Sequence, residues 1–388
     1  MQLAESEEIA ALRETIRRFL AKEFPLDEVR RWDEEDDIPR SAIEKIAPLG
    51  ICGLCISEEH GGMGRRVVAM ASVMTELARH SQALAGLFNM NASYGGLNIS
   101  ESGSEEQKKR LLPQLLAGKL LFAYGLSEPD IGADLGNVKT RAERRGDRIV
   151  INGAKRWTSG ANVADYIYAL VRSGPVEARR KNLSFVLIPT DAHGVHISKL
   201  AAMGSCGVAL HDVRFENVEI TSNDVVGGER GWNEAWSILA GPSLEIEKLA
   251  PSCISLGIAE AAVQEAWEYS QQRVQGGKHI CGHQAVRHVL AECQTELHAC
   301  RLVLQNAAWL VETRQQSAVA TSMAKLFITE KAKNMVLACQ QYVMGAYGYA
   351  KGFNMERYVR DVLAGPIYGG SSAIQKNNIA NLLELPRD

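Results

Sequence analysis

The strongest constraint on the fold lies in the last third of the chain. Three stretches there keep apolar residues at helical spacing for longer than an ordinary globular helix. GPSLEIEKLAPSCISLGIAEAAVQEAWEYSQQR, AVRHVLAECQTELHACRLVLQNAAWLVET and SAVATSMAKLFITEKAKNMVLACQQYVMGA follow one another between residues 241 and 346. An apolar stripe with a 3.6-residue period has to be covered, and long amphipathic helices cover one another by packing side by side. The spacing predicts a helical bundle over 231–388.

The rest of the chain divides by the same criterion. Residues 1–120 also read as helical, through EEIAALRETIRRFL, PRSAIEKIAPLG ending at Gly50, VAMASVMTELARHSQALAGLF and EEQKKRLLPQLLAGK. Ser104 before Glu105 and Glu106 is a helix start, and Gly118 a stop. Between 121 and 230 the pattern changes to short β-rich runs, RIVINGAKRW, DYIYALVR, LSFVLIP and DVRFENVEI, set off by Gly, Asn, Asp and Pro. The expected architecture is mainly α with a central β-domain: helices over 1–120, a compact β-domain over 121–230, and the bundle over 231–388. No G-x-G-x-x-G follows a strand and opens a helix, so a nicotinamide-binding Rossmann unit has no support.

Charge and cysteine content narrow the function classes. Across 388 residues, 43 basic against 46 acidic side chains leave a formal charge of −3, without a basic block to track a phosphate backbone. This argues against nucleic acid. The amino terminus reads as an amphipathic helix and no apolar run reaches the roughly 18 residues that span a bilayer, so a cytoplasmic protein away from membranes is expected. The eight cysteines lack the paired spacing of a zinc site or a disulfide framework. Cys52 and Cys55 form one CxxC inside an apolar stretch, which favours buried thiols over metal or redox chemistry. His60 in SEEHGG and His283 in GHQAV have no partner pattern for nucleophilic catalysis.

Several local stretches carry more. YGLSEPDIGAD (124–134), NGAKRWTSGAN (152–162), Met203-Gly204 ahead of Phe215, RVQGGK (273–278) with His283-Gln284, GAYGY (345–349), Arg360-Asp361 and IYGGSSAIQ (367–375) occur in that order over nearly the whole chain. As an ordered set they resemble the acyl-CoA dehydrogenase family. The resemblance implies a β-barrel-like middle domain and a C-terminal four-helix bundle. It also implies FAD, an acyl-CoA thioester substrate, an electron-transfer flavoprotein as partner, and a homotetramer built as a dimer of dimers in which two chains complete each flavin site. Carried over position by position, Tyr124, Leu126 and Ser127 would line the flavin, and Trp157 with Ser159 would cover its ring. Arg273, Gln284, Gly345 and Ala346 would reach the FAD of the neighbouring subunit. Ser371 and Ser372 would approach its adenosine and phosphate side. Hydroxyls, backbone amides and a flat indole suit a neutral ring system, and an arginine suits a pyrophosphate. Singly, each has a plainer reading: Trp157 as a strand aromatic, Ser127 as a turn former before Pro129, Arg273 as a helix C-terminal cation. The chain also departs from the family pattern. Ala133 stands where a serine touches substrate, Gly276 where an aromatic follows the arginine, and Tyr342 and Ala373 where polar residues are frequent.

The largest departure concerns the base. Removing the α-proton of a thioester needs a carboxylate in a dry pocket, because desolvation raises its proton affinity toward working pH. Many family members carry that glutamate just before the glycine of this loop, where this chain has Gly369. In the isovaleryl-CoA and long-chain branch it lies on the first long C-terminal helix, in a pattern that Leu244-Glu245-Ile246-Glu247-Lys248 matches. The resemblance therefore assigns Glu247 as the base, with Lys248 in the place of an arginine that steers substrate. Taken by itself, Glu247 reads as a solvated acid at the positive end of a helix. The loss at 369 matched by a gain at 247 reverses that ranking. Gly369 and Gly370 would then contact the substrate, the Gly369 amide holding the thioester carbonyl. The missing side chain at 369 is expected to leave room for a branched or bulky acyl group.

Three functions follow. The first is FAD-dependent α,β-dehydrogenation of an acyl-CoA. The second is enoyl-CoA reduction, or oxidation of an acyl or aminoacyl group on a carrier protein, on the same fold. The third, of a different class, is a non-catalytic flavin-binding or partner-binding scaffold. No metal is expected.

Overall fold

The computed structural model of the chain describes residues 6–239 and 241–386. Its first region is helical: α1 (Glu7–Glu23), α2 (Leu26–Glu35), α3 (Ser41–Ile46), α4 (Val67–His80), α5 (Gln82–Phe88), α6 (Asn98–Ser102) and α7 (Glu105–Leu116). Local chemistry sets the ends. Ser104 caps α7 and the Gln107 side chain returns the bond to the Ser104 N–H, while Gly118 stands beyond the helix at φ +69°.

The helical spacing runs unbroken from Val67 to Phe88, but the structure divides it at Ser81. There the backbone is extended (φ −154°) and Oγ accepts from the Leu84 N–H, so the serine starts a new helix. After α5 the chain winds as a π-helix over Asn89–Leu97 before entering α6. Wide turns of this kind re-aim side chains. This one carries Tyr94 and delivers Asn98.

The middle region is one curled sheet of β1 (Phe122–Gly125), β2 (Arg141–Arg145), β3 (Arg148–Lys155), β4 (Tyr166–Arg172), β5 (Leu183–Pro189), β6 (Val195–Leu200) and β7 (Leu210–Ile220). β1 runs parallel to β4, with Tyr124 beside Tyr168, and β5 pairs with β4 antiparallel. β2, β3, β7 and β6 form an antiparallel run joined to β4 at Arg141 and Arg172. A bulge between Ile151 and Gly153 bends β3, and Gly153 allows it: φ is +147°, and a Cβ there would lie 2.6 Å from the Thr140 Cα.

The last region opens with α8 (Ala235–Leu239) and α9 (Pro242–Gln272). A hairpin of β8 (Val274–Gln275) and β9 (Lys278–His279) leads to α10 (Gln284–Glu312) and α11 (Ala318–Ala338), then α12 (Met355–Val362) and α13 (Ser372–Leu382). Helices α9, α10 and α11 pack on one another, α13 lies on α11, and α4 from the first region lies along α9. Here the structure departs from the sequence reading. α9 is not two-faced: every residue from Lys248 to Val263 is buried. The small residues Ala250, Ser252, Ser255, Gly257, Ala259 and Ala262 are what permit enclosure on all sides. Among the described residues no helix is long and apolar enough to cross a membrane, and no His, Cys, Asp and Glu cluster could hold a metal. Cys52 and Cys55 are buried, and burial pushes both thiols up to about 12.

At Gly257 the backbones of α9 and α4 approach closely. A Cβ there would lie 2.3 Å from the Thr75 carbonyl oxygen and 2.7 Å from the Arg79 nitrogen. Gly257→Val should therefore lower stability to urea by about 1–3 kcal/mol through overpacking. A variant with the wild-type midpoint would show that the two helices have room to separate.

Candidate active site

The loop after β1 is fixed from below by a buried ion pair. Lys155, at the end of β3, is fully enclosed, and its Nζ donates to Glu128 Oε1 at 2.8 Å and to the Leu126 carbonyl at 3.1 Å. Burial pushes the lysine down to about 8. Glu128 also accepts from the Lys139 and Thr140 N–H groups at 2.7 and 2.9 Å. A fully bonded buried pair holds its chain segments in one geometry, whatever its net contribution to stability. Leu126 and Ser127 are thereby locked beside Trp157, since the Arg156 N–H bonds the Ser127 carbonyl at 2.9 Å.

Trp157 itself is left out of the core. Its ring is 57% exposed, its φ is +64°, and the Arg156 guanidinium lies 5.1 Å from the ring centre. A left-handed tryptophan held in solvent is costly twice over, in backbone strain and in exposed apolar area. Next to it, Thr158 is fully buried with no partner for its hydroxyl, and Ser159 is half-buried. Ala133 is exposed on the following loop.

Glu247 sits one turn into α9 and is half-buried as a residue, with its carboxyl turned toward Asn98. Asn98 Nδ2 donates to its Oε1 at 3.1 Å, and the Tyr124 hydroxyl bonds the same carboxyl. Around it stand Tyr94, stacked on Tyr124 at 4.6 Å between ring centres, and Tyr168 and Phe185, whose rings are 5.5 and 6.2 Å from Tyr124. Burial pushes the Glu247 carboxyl up to about 7; the bonds from Asn98 and Tyr124 pull it down, and Glu101 adds to the rise. Burial likewise raises the hydroxyls of Tyr94, Tyr124 and Tyr168, with the Glu247 charge adding to it. Lys248, one residue on, turns away. It is 8% exposed and bonds Glu245 at 2.8 Å, while Glu245 accepts from Thr321.

One further turn along α9, on the Glu247 side of the helix, Pro251 meets the glycine loop. Gly369 and Gly370 have φ of +63° and +80°, and a Cβ at Gly369 would lie 2.7 Å from Pro251 Cγ. The space expected beside Gly369 is thus occupied by the proline ring. Gly369 answers a backbone and packing requirement. Gln375 pins the loop, donating to the Gly369 and Gly370 carbonyls at 3.2 and 3.1 Å. Ser371 caps α13 and Ser372 bonds Glu330 at 2.6 Å.

The other expected residues gather elsewhere. Arg273 caps α9, its guanidinium 5.0 Å from the Tyr347 ring centre, close to Gly345 and Ala346; exposed Gln284 begins α10. Roughly 40 Å of helix separates Arg273 from Glu247. Asn98, Tyr94, Tyr168 and Pro251 were not anticipated. The spacing of Tyr94 and Asn98, four apart in a helical stretch, puts the two on one face, but Asn89 and Asn91 in the same stretch hide the signal.

A helical domain, a curled sheet and a bundle, with a desolvated carboxyl facing a glycine loop, define a known class. Models of the acyl-CoA dehydrogenase N-terminal, middle and C-terminal domains match residues 6–119, 123–218 and 233–383. The 3-(aryl)acrylate reductase of Clostridium sporogenes is 32% identical over 375 residues, covering 95% of this chain and 97% of that protein. An acyl-CoA dehydrogenase of Bacillus subtilis is 30% identical, covering 97% and 98%. A solved structure described as an electron transferring flavoprotein of Acidaminococcus fermentans superposes with a TM-score of 0.93 at 27% identity, covering all of both chains. The chain belongs to the acyl-CoA dehydrogenase family, flavin-dependent oxidoreductases that dehydrogenate acyl thioesters. The exposed Trp157, the unpartnered Thr158 hydroxyl and the fixed Leu126–Ser127 backbone fit a flat ring with polar edges.

The raised carboxyl has a consequence for stability. The native state holds the Glu247 proton more tightly than the unfolded chain does. Its stabilisation is complete below the ordinary carboxyl value of 4.5 and is lost as pH rises through about 7. The loss is on the order of 3 kcal/mol. Urea unfolding from pH 4 to 8 should show a decline in the wild type that is shallower in Glu247→Gln, where the raised Asp361 carboxyl still contributes. Parallel curves would exclude Glu247 as the titrating group.

Proposed function

We propose that this chain oxidises an acyl-CoA between its α and β carbons, with Glu247 as the base and FAD as the cofactor. The observation that carries the reading is the Glu247 carboxyl itself: desolvated, held by two donors, and poised at about 7. A base is most effective when its proton affinity lies near the working pH. Bound FAD supplies the acceptor for the β-hydride.

In this reading Gly369 and Gly370 present backbone amides to the thioester carbonyl, an arrangement that stabilises the charge developing as the α-proton leaves. Trp157, Ser159, Ser127, Leu126 and Tyr124 form the flavin-facing wall, and the aromatic group behind Glu247 keeps water from the carboxylate. Lys248 is engaged with Glu245 and turned away from the Glu247 carboxyl.

Arg273, Gln284, Gly345 and Ala346 are too far from Glu247 to serve the same flavin. They would hold the FAD of a neighbouring subunit in a homotetramer, while Ser371 and Ser372 would approach the adenosine and phosphate side of the flavin. An electron-transfer flavoprotein would take the electrons. The 32% identity to an acrylate reductase supports a second reading, hydrogenation of an enoyl-CoA by the same groups in the opposite sense.

Glu247→Gln should keep its flavin absorbance and lose at least about a hundredfold in turnover. Anaerobic mixing with straight, branched and aryl acyl-CoAs should bleach the wild-type flavin. Bleaching only by carrier-protein thioesters, or reoxidation only by enoyl-CoAs, would displace the dehydrogenase reading. An unchanged Glu247→Gln would overturn the base assignment.

A further inference from the structure

The residue bound most directly to Glu247 lies in none of the motifs that mark the family. Asn98 is 1% exposed, opens α6 straight after the π-helical turn, and donates from Nδ2 to Glu247 Oε1 at 3.1 Å. A bond from an amide N–H to a carboxylate is charge-assisted and favours the ionised form. A glutamate side chain has three rotatable bonds. The Asn98 amide on α6 restricts that freedom, with the Tyr124 phenol of β1 beside the same carboxyl, and leaves the remaining acceptor positions for a substrate proton.

We propose that Asn98 is a positioning residue for the base: its amide sets the direction of the Glu247 carboxylate and keeps it ionised within a site whose burial opposes charge. This rests on Glu247 being the base. The groups facing Glu247 make the effect separable. Tyr94, Tyr124 and Tyr168 are all held above the usual tyrosine range. Glu101, one turn along α6, is paired with Arg65 at 2.5 Å, and Glu245 is paired with Lys248. Between pH 5.5 and 9 the group at this spot whose charge changes is Glu247.

The test uses the FAD-loaded protein and an acyl-CoA that bleaches the wild type. In Asn98→Leu the acidic limb of the kcat/KM profile should move up by about one pH unit, and in Asn98→Asp by more, since a second carboxylate opposes ionisation. An infrared difference between each protein and its Glu247→Gln counterpart should show the protonated-carboxyl band persisting to correspondingly higher pH, a reading that needs no turnover. Asn98→Ala, which removes the donor with less intrusion, should give the same direction, and flavin absorbance reports that each variant is folded. If Glu247→Gln is inactive while the limb and band stay in place in the Asn98 variants, the role of Asn98 is overturned and the base stands. If Glu247→Gln is active, the base reading fails first.

Discussion

The enclosure of α9 is the constraint on which the other features depend. A helix buried on every side for four turns needs small residues where neighbours cross it, as at Gly257 against α4. Burial also isolates the polar groups it carries. Glu260 is met by Arg301 at 2.7 Å, and on α4 Glu76 receives Arg13 and Arg17 at 2.6 and 2.7 Å. These pairs satisfy carboxylates that would otherwise be buried alone. Glu247 is an exception to this pairing, bonded by the Asn98 amide and given no cation.

That exception is what makes the site chemically useful. An arginine beside Glu247 would lower its proton affinity and make it a poor base; open water would do the same. The chain instead supplies an amide, a phenol and a ring of aromatic side chains, so burial dominates and the carboxyl settles near neutrality. The contrast with Glu128 is instructive. Burial acts on it too, but Lys155 and two backbone N–H groups outweigh burial and leave it below the usual range. One carboxylate holds a loop in place, and the other can exchange a proton.

Much of this was legible in the sequence. The three regions and a few helix ends follow from periodicity and caps, as with Ser104 and Gly118. Gly369 opposite Leu244–Lys248 pointed to Glu247 before any geometry was known. The sequence was silent on Ser81, because an isolated serine in a helical pattern looks tolerable until its side chain is seen to cap the next helix. It misread Gly369 as vacated space, because only the fold brings Pro251 beside it. It gave no role to Asn98, whose partner lies 149 positions away.

The amino-acid sequence by itself determined the order of helices and strands and the family motifs, since these depend on local spacing and residue chemistry, and the resemblance those motifs carry singled out Glu247. Tertiary structure decided how that carboxyl behaves. The proton affinity of Glu247 is a property of its surroundings, assembled from α6, β1, β4 and the π-helical turn, and electrostatic desolvation cannot be read from a chain until its distant parts are brought together.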